Sequence, residues 1–142
     1  MTLPSHIIAG LIIGKITGDY PLAIASSVLI DIDHLQSYIK SKVLFKPRLF
    51  WKTITDQSDP YGDQRGYFHN LLVFLVVSLI LWVVFGYLTL PIVLGWLGHL
   101  LLDGLDNSDY WPFYPYKWLN LRGPIVYASH QEVIFSIALV VV

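Results

Sequence analysis

Residues 71–102 read LLVFLVVSLILWVVFGYLTLPIVLGWLGHLLL, 32 positions in which His99 is the one side chain that titrates near neutral pH. A helix needs ~20 apolar residues to cross the hydrocarbon core, so this run amounts to about one and a half spans and has to be broken. Gly86, Thr89 and Pro91 supply the break: a glycine at a helix end, a capping hydroxyl, and a proline where a new helix can start. The pattern predicts one helix over 68–87 and a second over 90–106, joined too tightly to be anything but antiparallel neighbours. Gly18, Asp19 and Pro21 repeat the signal and divide the first forty residues into helices over 4–17 and 21–39. The first of these would be about 21 Å long against a core of ~30 Å, so it is expected to be tilted or covered by its neighbours. A fifth apolar stretch, 130–142, stops without a polar end and reads as a half-span or a truncated helix. The expected fold is all-α: an integral membrane up-and-down bundle of four to five helices, in a single membrane-embedded domain over 1–142.

Composition agrees. Hydrophobic side chains make up 55% of the chain and charged ones 13%, with a mean hydropathy of +0.59, far from the roughly 25% charged usage of soluble domains. The formal net charge of −1 gives no sign of nucleic-acid binding. There is no cysteine, so any metal must be held by His, Asp or Glu. The opening MTLPSHIIAGLIIG has no basic segment ahead of its apolar run and is expected to be part of the mature protein.

Threading these helices up and down brings the polar residues together. Helix one starts beside His6, and helix two returns to the same end with Asp31, Asp33 and His34. Helix three leaves from His69, helix four returns with His99 and Asp103, and helix five leaves beside His130 and Glu132. All five histidines of the chain therefore fall at one end of one bundle. His99 and Asp103 are four apart, and Asp31 and His34 three apart, so each pair shares a helix face, whereas Asp33 points elsewhere unless the helix has ended. A carboxylate at a helix centre in a membrane costs about 2.5–3.5 kcal/mol, somewhat less near an end. Within the helices Lys15, at the far end, is the only cation away from this cluster, so a divalent ion held by His and Asp is the economical partner.

The motifs that emerge are PSHIIAG at 4–10, DIDH at 31–34, QRGYFHN at 64–70, GHLLLD at 98–103 and WPF at 111–113. This set resembles the YdjM-like family of predicted membrane-bound metal-dependent hydrolases over nearly the whole chain. The family's third motif runs His-Arg-Gly-x-Thr-His-Ser; here Gln64 stands for the first His, Phe68 for Thr and Asn70 for Ser, and Ile30 replaces a proline before the first aspartate. The order of ligands is also distantly similar to that of helical zinc-dependent phospholipases C. That similarity implies phosphoester chemistry.

The expected activity is metal-assisted hydrolysis of a phosphoester or lipid-like substrate. His6, Asp31, His34, His69, His99, Asp103 and His130 are the candidate ligands of one or two divalent ions, zinc first and manganese second. Such an ion lowers the pKa of a bound water towards ~7 and polarises the substrate oxygen. Asp33 or Glu132 is the expected proton acceptor and Arg65 the expected phosphate holder. Helices one, three and five aim their N-termini at this end, which favours an anion, and helices two and four aim C-termini that favour a cation. The alternative is a non-catalytic membrane metal-binding or transport protein. The basic, aromatic KVLFKPRLFWK at 42–52 is expected to lie in the headgroup plane as an anchor, and SDYWPFYPYKW at 108–118 to form an interfacial belt and one wall of the substrate entrance. Eight of the nine Lys and Arg residues lie on loops at the histidine end, which by the positive-inside rule puts the site on the cytoplasmic side of the cell or inner membrane. The expected partners are the lipid bilayer and a small-molecule or lipid phosphoester.

Overall fold

The computed structural model describes residues 1–56 and 65–141. Helix α1 (Leu3–Thr17) takes Pro4 into its first turn and stops at Gly18, whose φ of 81° lets its N–H close on the Gly14 carbonyl. Asp19 then caps α2 (Tyr20–Val28) by accepting the Leu22 N–H; such a cap is worth about 1 kcal/mol. The expected second helix is not one rod. A tight 3₁₀ turn over Leu29–Asp31 divides α2 from α3 (Ile32–Lys40). Within the stretch read as a headgroup anchor, Pro47 opens a short helix, α4 (Pro47–Thr55).

The long apolar run begins with a second 3₁₀ turn, Tyr67–His69, after which the Asn70 side chain accepts from the Leu72 and Val73 N–H groups and caps α5 (Leu71–Phe85). Gly86, at φ 59°, breaks the run where the sequence says it must, and α6 (Leu90–Leu105) returns. The stretch Leu71–Leu105 is 35 residues, its most apolar 18-residue window has a mean hydropathy of 2.8, and among the described residues it alone is long and apolar enough to cross a membrane. An irregular segment with two isolated bridges, Asp106 to Ile125 and Tyr110 to Leu121, leads to α7 (His130–Val141).

Helices α1, α2 and α6 form the centre, with α7 against α1 and α5 against α6. Small residues permit this: a Cβ on Gly10 would lie 2.7 Å from the Ile24 Cα, and one on Gly95 would lie 2.7 Å from the Ala23 carbonyl oxygen. Ser26 fills the α2–α6 gap and donates to the Pro91 carbonyl. Phe74, Trp96, Leu100, Ile30 and Tyr110 make the main apolar core. Leu72, Leu75, Val76, Leu79, Ile80 and Val83 on α5 face outward, a distribution suited to lipid rather than water. The interior, by contrast, holds the polar groups: His6, His69, His99, Asp103 and Asp106 are all fully buried.

Candidate metal centre

Each histidine is aimed by the backbone of a different element. His99, on the inward face of α6, donates from Nδ1 to the Ser27 carbonyl of α2 at 2.7 Å. His69 sits on the turn before α5, held by Tyr110, whose hydroxyl donates to its carbonyl at 2.8 Å, and by Trp96, whose indole donates to the Phe68 carbonyl at 2.7 Å. The Leu71 N–H reaches the Pro112 carbonyl and the Asn70 amide the Tyr114 carbonyl, so the 110–114 segment carrying WPF fixes the turn from outside. The His69 Nδ1 faces the Asp33 carboxylate at 3.2 Å, which also accepts the Phe68 N–H at 2.7 Å. The 3₁₀ turn ahead of α3 answers the question of Asp33: it stands at the first turn of a new helix and reaches behind His69. Gly66 packs against that carboxylate, 3.3 Å from its Cγ to a Cβ placed on the glycine.

These bonds fix the tautomers. A carbonyl and a carboxylate only accept, so both rings carry hydrogen on Nδ1 and turn Nε2 inward. The two Nε2 atoms lie 3.1 Å apart. The Asp103 Oδ2 is 3.3 Å from that of His69 and 3.6 Å from that of His99, and the Asp31 Oδ1 is 3.7 and 3.5 Å from them. Two lone pairs and two carboxylate oxygens converging in a buried space repel one another unless a cation sits among them. Arg65 Nε, 2.9 Å from the same Asp103 oxygen, supplies part of that charge, and in the absence of metal a proton adds to it: burial acts against the charge on His69, but Asp103, Asp31 and Asp33 outweigh it and push its pKa up to about 10. His6 stacks on His99 with centroids 3.8 Å apart, places Nε2 3.2 Å from the Met1 carbonyl, and leaves a buried Nδ1 without a partner. His34, half-buried, lies 3.2 Å from the Asp31 Oδ1. Three overlapping donor sets result, His6–Asp31–His99, Asp31–His34–His69 and His69–His99–Asp103, each with its atoms within 4.8 Å of one another. The facing Nε2 atoms, the orphan Nδ1 and an all-nitrogen-and-oxygen donor set fit a divalent transition ion.

Six of the seven expected ligands are thus brought together. His130 is not: it is exposed at the start of α7, outside these sets. Glu132 accepts the Thr2 N–H and hydroxyl and the Ser5 hydroxyl on Oε1, and the Ala128 N–H on Oε2. It clamps α7 to the start of α1 rather than facing the metal sets. Arg65 is buried, with Nε 2.9 Å from Asp103, Nη2 2.8 Å from Asp106 and Nη1 2.9 Å from the Asp109 carbonyl. The Met1 amino group lies 2.5 Å from Asp103 and 2.6 Å from Asp106. The expectation that Asp103 lacks a protein cation is therefore corrected: a loop arginine returns to it, which no helix pattern reveals. Asp106 was missed as part of this cluster, although its spacing of three from Asp103 and seven from His99 puts it on the same helix face. Burial would raise its pKa, but Arg65 and the Met1 ammonium hold it below the usual carboxylate range. Gln64, which stands for the first His of the family's third motif, lies outside the described residues.

A cavity of about 560 Å³ opens on this cluster. Asp31, His34, Arg65 and Asp103 line it, together with Tyr38, Phe50, Trp51, Ile54 and Trp111. Over residues 1–142 the chain matches the family model described as YdjM inner membrane protein. No curated protein and no solved structure matches it.

Proposed function

The chain belongs to the YdjM inner membrane protein family, and we propose that it is a membrane-bound metal-dependent hydrolase acting on phosphoesters. The observation that carries this reading is the pair of inward-facing Nε2 atoms, 3.1 Å apart, beside a carboxylate that also lines a cavity. A storage or purely structural site has no need of such access. His69, His99 and Asp103 would hold the first ion, which supplies Lewis-acid activation of water and of a phosphoryl oxygen. Asp33 and the Ser27 carbonyl hold the two rings in the tautomer that can ligate, as outer-shell partners of metal-bound histidines do.

Of the acids and bases in the cluster, the Asp31–His34 pair borders the cavity, and with one ion bound it is the pair placed to take a proton from an attacking water. A second ion would recruit the same two residues as ligands, so metal stoichiometry separates the two arrangements. Asp33 and Glu132 keep positioning roles, and Arg65, paired with Asp103 and Asp106, balances their buried charge rather than holding a phosphate.

The test is turnover. Purified protein loaded with zinc should hydrolyse a chromogenic phosphodiester or phosphomonoester, chelation should abolish the rate, and zinc or manganese should restore it. Fully metal-loaded protein that turns over no phosphoester in a broad panel would leave the non-catalytic metal-binding reading in its place.

The site is proposed to face the cytoplasm, supported by the eight basic residues on the loops of that end. Because the chain has no cysteine, Tyr116→Cys and Tyr20→Cys, both at exposed positions at opposite ends, report sidedness directly. In sealed right-side-out vesicles an impermeant thiol reagent should label position 20 and spare position 116; the opposite pattern reverses the orientation.

A further inference from the structure

Helix α4 has two unlike faces. Phe50 and Ile54, four apart, line the cavity, with Thr53 buried beside them. Arg48 and Lys52, also four apart, are exposed on the far side, and Lys42 and Lys46 are exposed just before them. Phe45 and Trp51 stand in the open, 75% and 68% exposed. Large aromatics exposed among lysines and arginines are unfavourable in water and favourable at the boundary between headgroups and acyl chains, where the rings enter the apolar layer and the cations meet lipid phosphate. The helix is held in that position: the Tyr127 hydroxyl donates to the Ile54 carbonyl at 2.8 Å, and Val43, in the turn before it, is fully buried.

The cavity behind α4 is itself amphiphilic. Asp31, His34, Arg65 and Asp103 supply ionisable lining, while Leu3 and Pro4 of α1 and Phe50, Trp51 and Ile54 of α4 supply apolar lining. A volume of about 560 Å³ is in the range of pockets that enclose a small organic ligand, well beyond what an inorganic phosphate fills. A hydrophilic phosphoester would leave the apolar lining wetted, whereas a molecule with a phosphoester head and a hydrocarbon chain matches both kinds of lining.

Resting on the phosphoester reading above, we infer that the substrate is a chain-bearing phosphoester taken from the membrane, its head at the Asp31–His34–Asp103 end and the first carbons of its chain between α4 and the start of α1. Trp51, at once on the cavity and exposed, marks the side on which the chain leaves for the bilayer.

The test is direct binding to zinc-loaded protein in alkyl-maltoside micelles, which contain no phosphate, by calorimetry with empty micelles subtracted. The probes are methyl phosphate, hexyl phosphate and hexanol. Hexyl phosphate should bind at least about tenfold more tightly than methyl phosphate, the gain from burying two methylenes, and hexanol should not compete at matched concentration. Ile54→Asp should remove that advantage and Trp51→Ala should reduce it several-fold, both with methyl phosphate affinity retained. Retained methyl phosphate binding also reports that the site is folded, and the exposed Trp51 can be shortened without disturbing the core. Equal affinity for the two phosphates overturns the inference and leaves the phosphoester reading standing. A chain advantage that survives both substitutions also overturns it, since the chain then lies elsewhere. Failure of both phosphates to bind overturns the phosphoester reading, and this inference with it.

Discussion

Two nests of charge lie side by side at one end of the bundle, and they are solved differently. In the first, Asp103 and Asp106 face two cations of the chain itself, the Arg65 guanidinium and the Met1 ammonium, so the buried charges are matched pair for pair. In the second, His6, His69 and His99 meet Asp31 and Asp103, whose Oδ2 faces the His69 and His99 rings and also accepts from Arg65 Nε at 2.9 Å; the two rings are locked with Nε2 inward, and among the described residues the buried His6 Nδ1 has no partner. A self-neutralised nest is a structural device. A nest in which two inward Nε2 atoms share one carboxylate oxygen with a single arginine is a candidate receptor for a metal cation, and Asp103, which belongs to both, ties it to the scaffold.

The comparison breaks most readily at the receptor. His99→Ala or His69→Ala removes a locked ligand, and metal content, about one equivalent or more in the parent for a His/Asp site of this kind, should fall to near background by elemental analysis. Unchanged stoichiometry in both variants would mean that the lone pairs do not define the site. In the self-neutralised nest the effect should appear in stability instead. Arg65→Met leaves two buried carboxylates with one ammonium, and breaking a buried pair typically costs about 3–5 kcal/mol. Denaturation in mixed micelles should show a loss of that order, while metal affinity holds or rises because a competing cation has gone; weaker metal binding at parental stability would erase the distinction between the nests.

The smallest effect tests the link between the histidine and its support. Asp33→Asn keeps an acceptor for Nδ1 but removes its charge, and loss of an outer-shell partner costs about 10–100-fold in metal affinity. The pH dependence carries a sign. With its pKa pushed up to about 10, His69 in the metal-free site holds a proton that metal must displace, so affinity should rise with pH through the neutral range and loading at neutral pH should release protons. Removing the Asp33 charge lowers that pKa and should flatten the rise. A dependence as steep in the variant as in the parent would detach Asp33 from His69.

The helical breaks and the two ligand pairs were legible because both depend on local spacing. Gly18 with Pro21 and Gly86 with Pro91 end and restart helices wherever they occur, and four-residue spacing puts His99 and Asp103 on one face whatever surrounds them. Even the meeting of His6, His34, His69 and His99 followed from short connections that force antiparallel neighbours. His130 shows the limit: it is the first residue of its helix at the same end, yet its side chain is left outside, because chain threading fixes an end of the bundle and not a direction around it.

What the sequence by itself determined is therefore the membrane bundle, its polar end and most of the residues that meet in the candidate metal centre, since periodicity, turn chemistry and hydropathy act over a few residues and survive any packing. Only the tertiary structure decided that Arg65 belongs to Asp103 and Asp106, that Asp33 stands behind His69, and that α4 walls a cavity rather than only lying beneath a loop. Each of these is a contact between residues more than thirty positions apart. Its geometry is set by how close the helices can approach at Gly10 and Gly95 and by which buried polar groups must find partners, and both are properties of the packed interior that no local pattern contains.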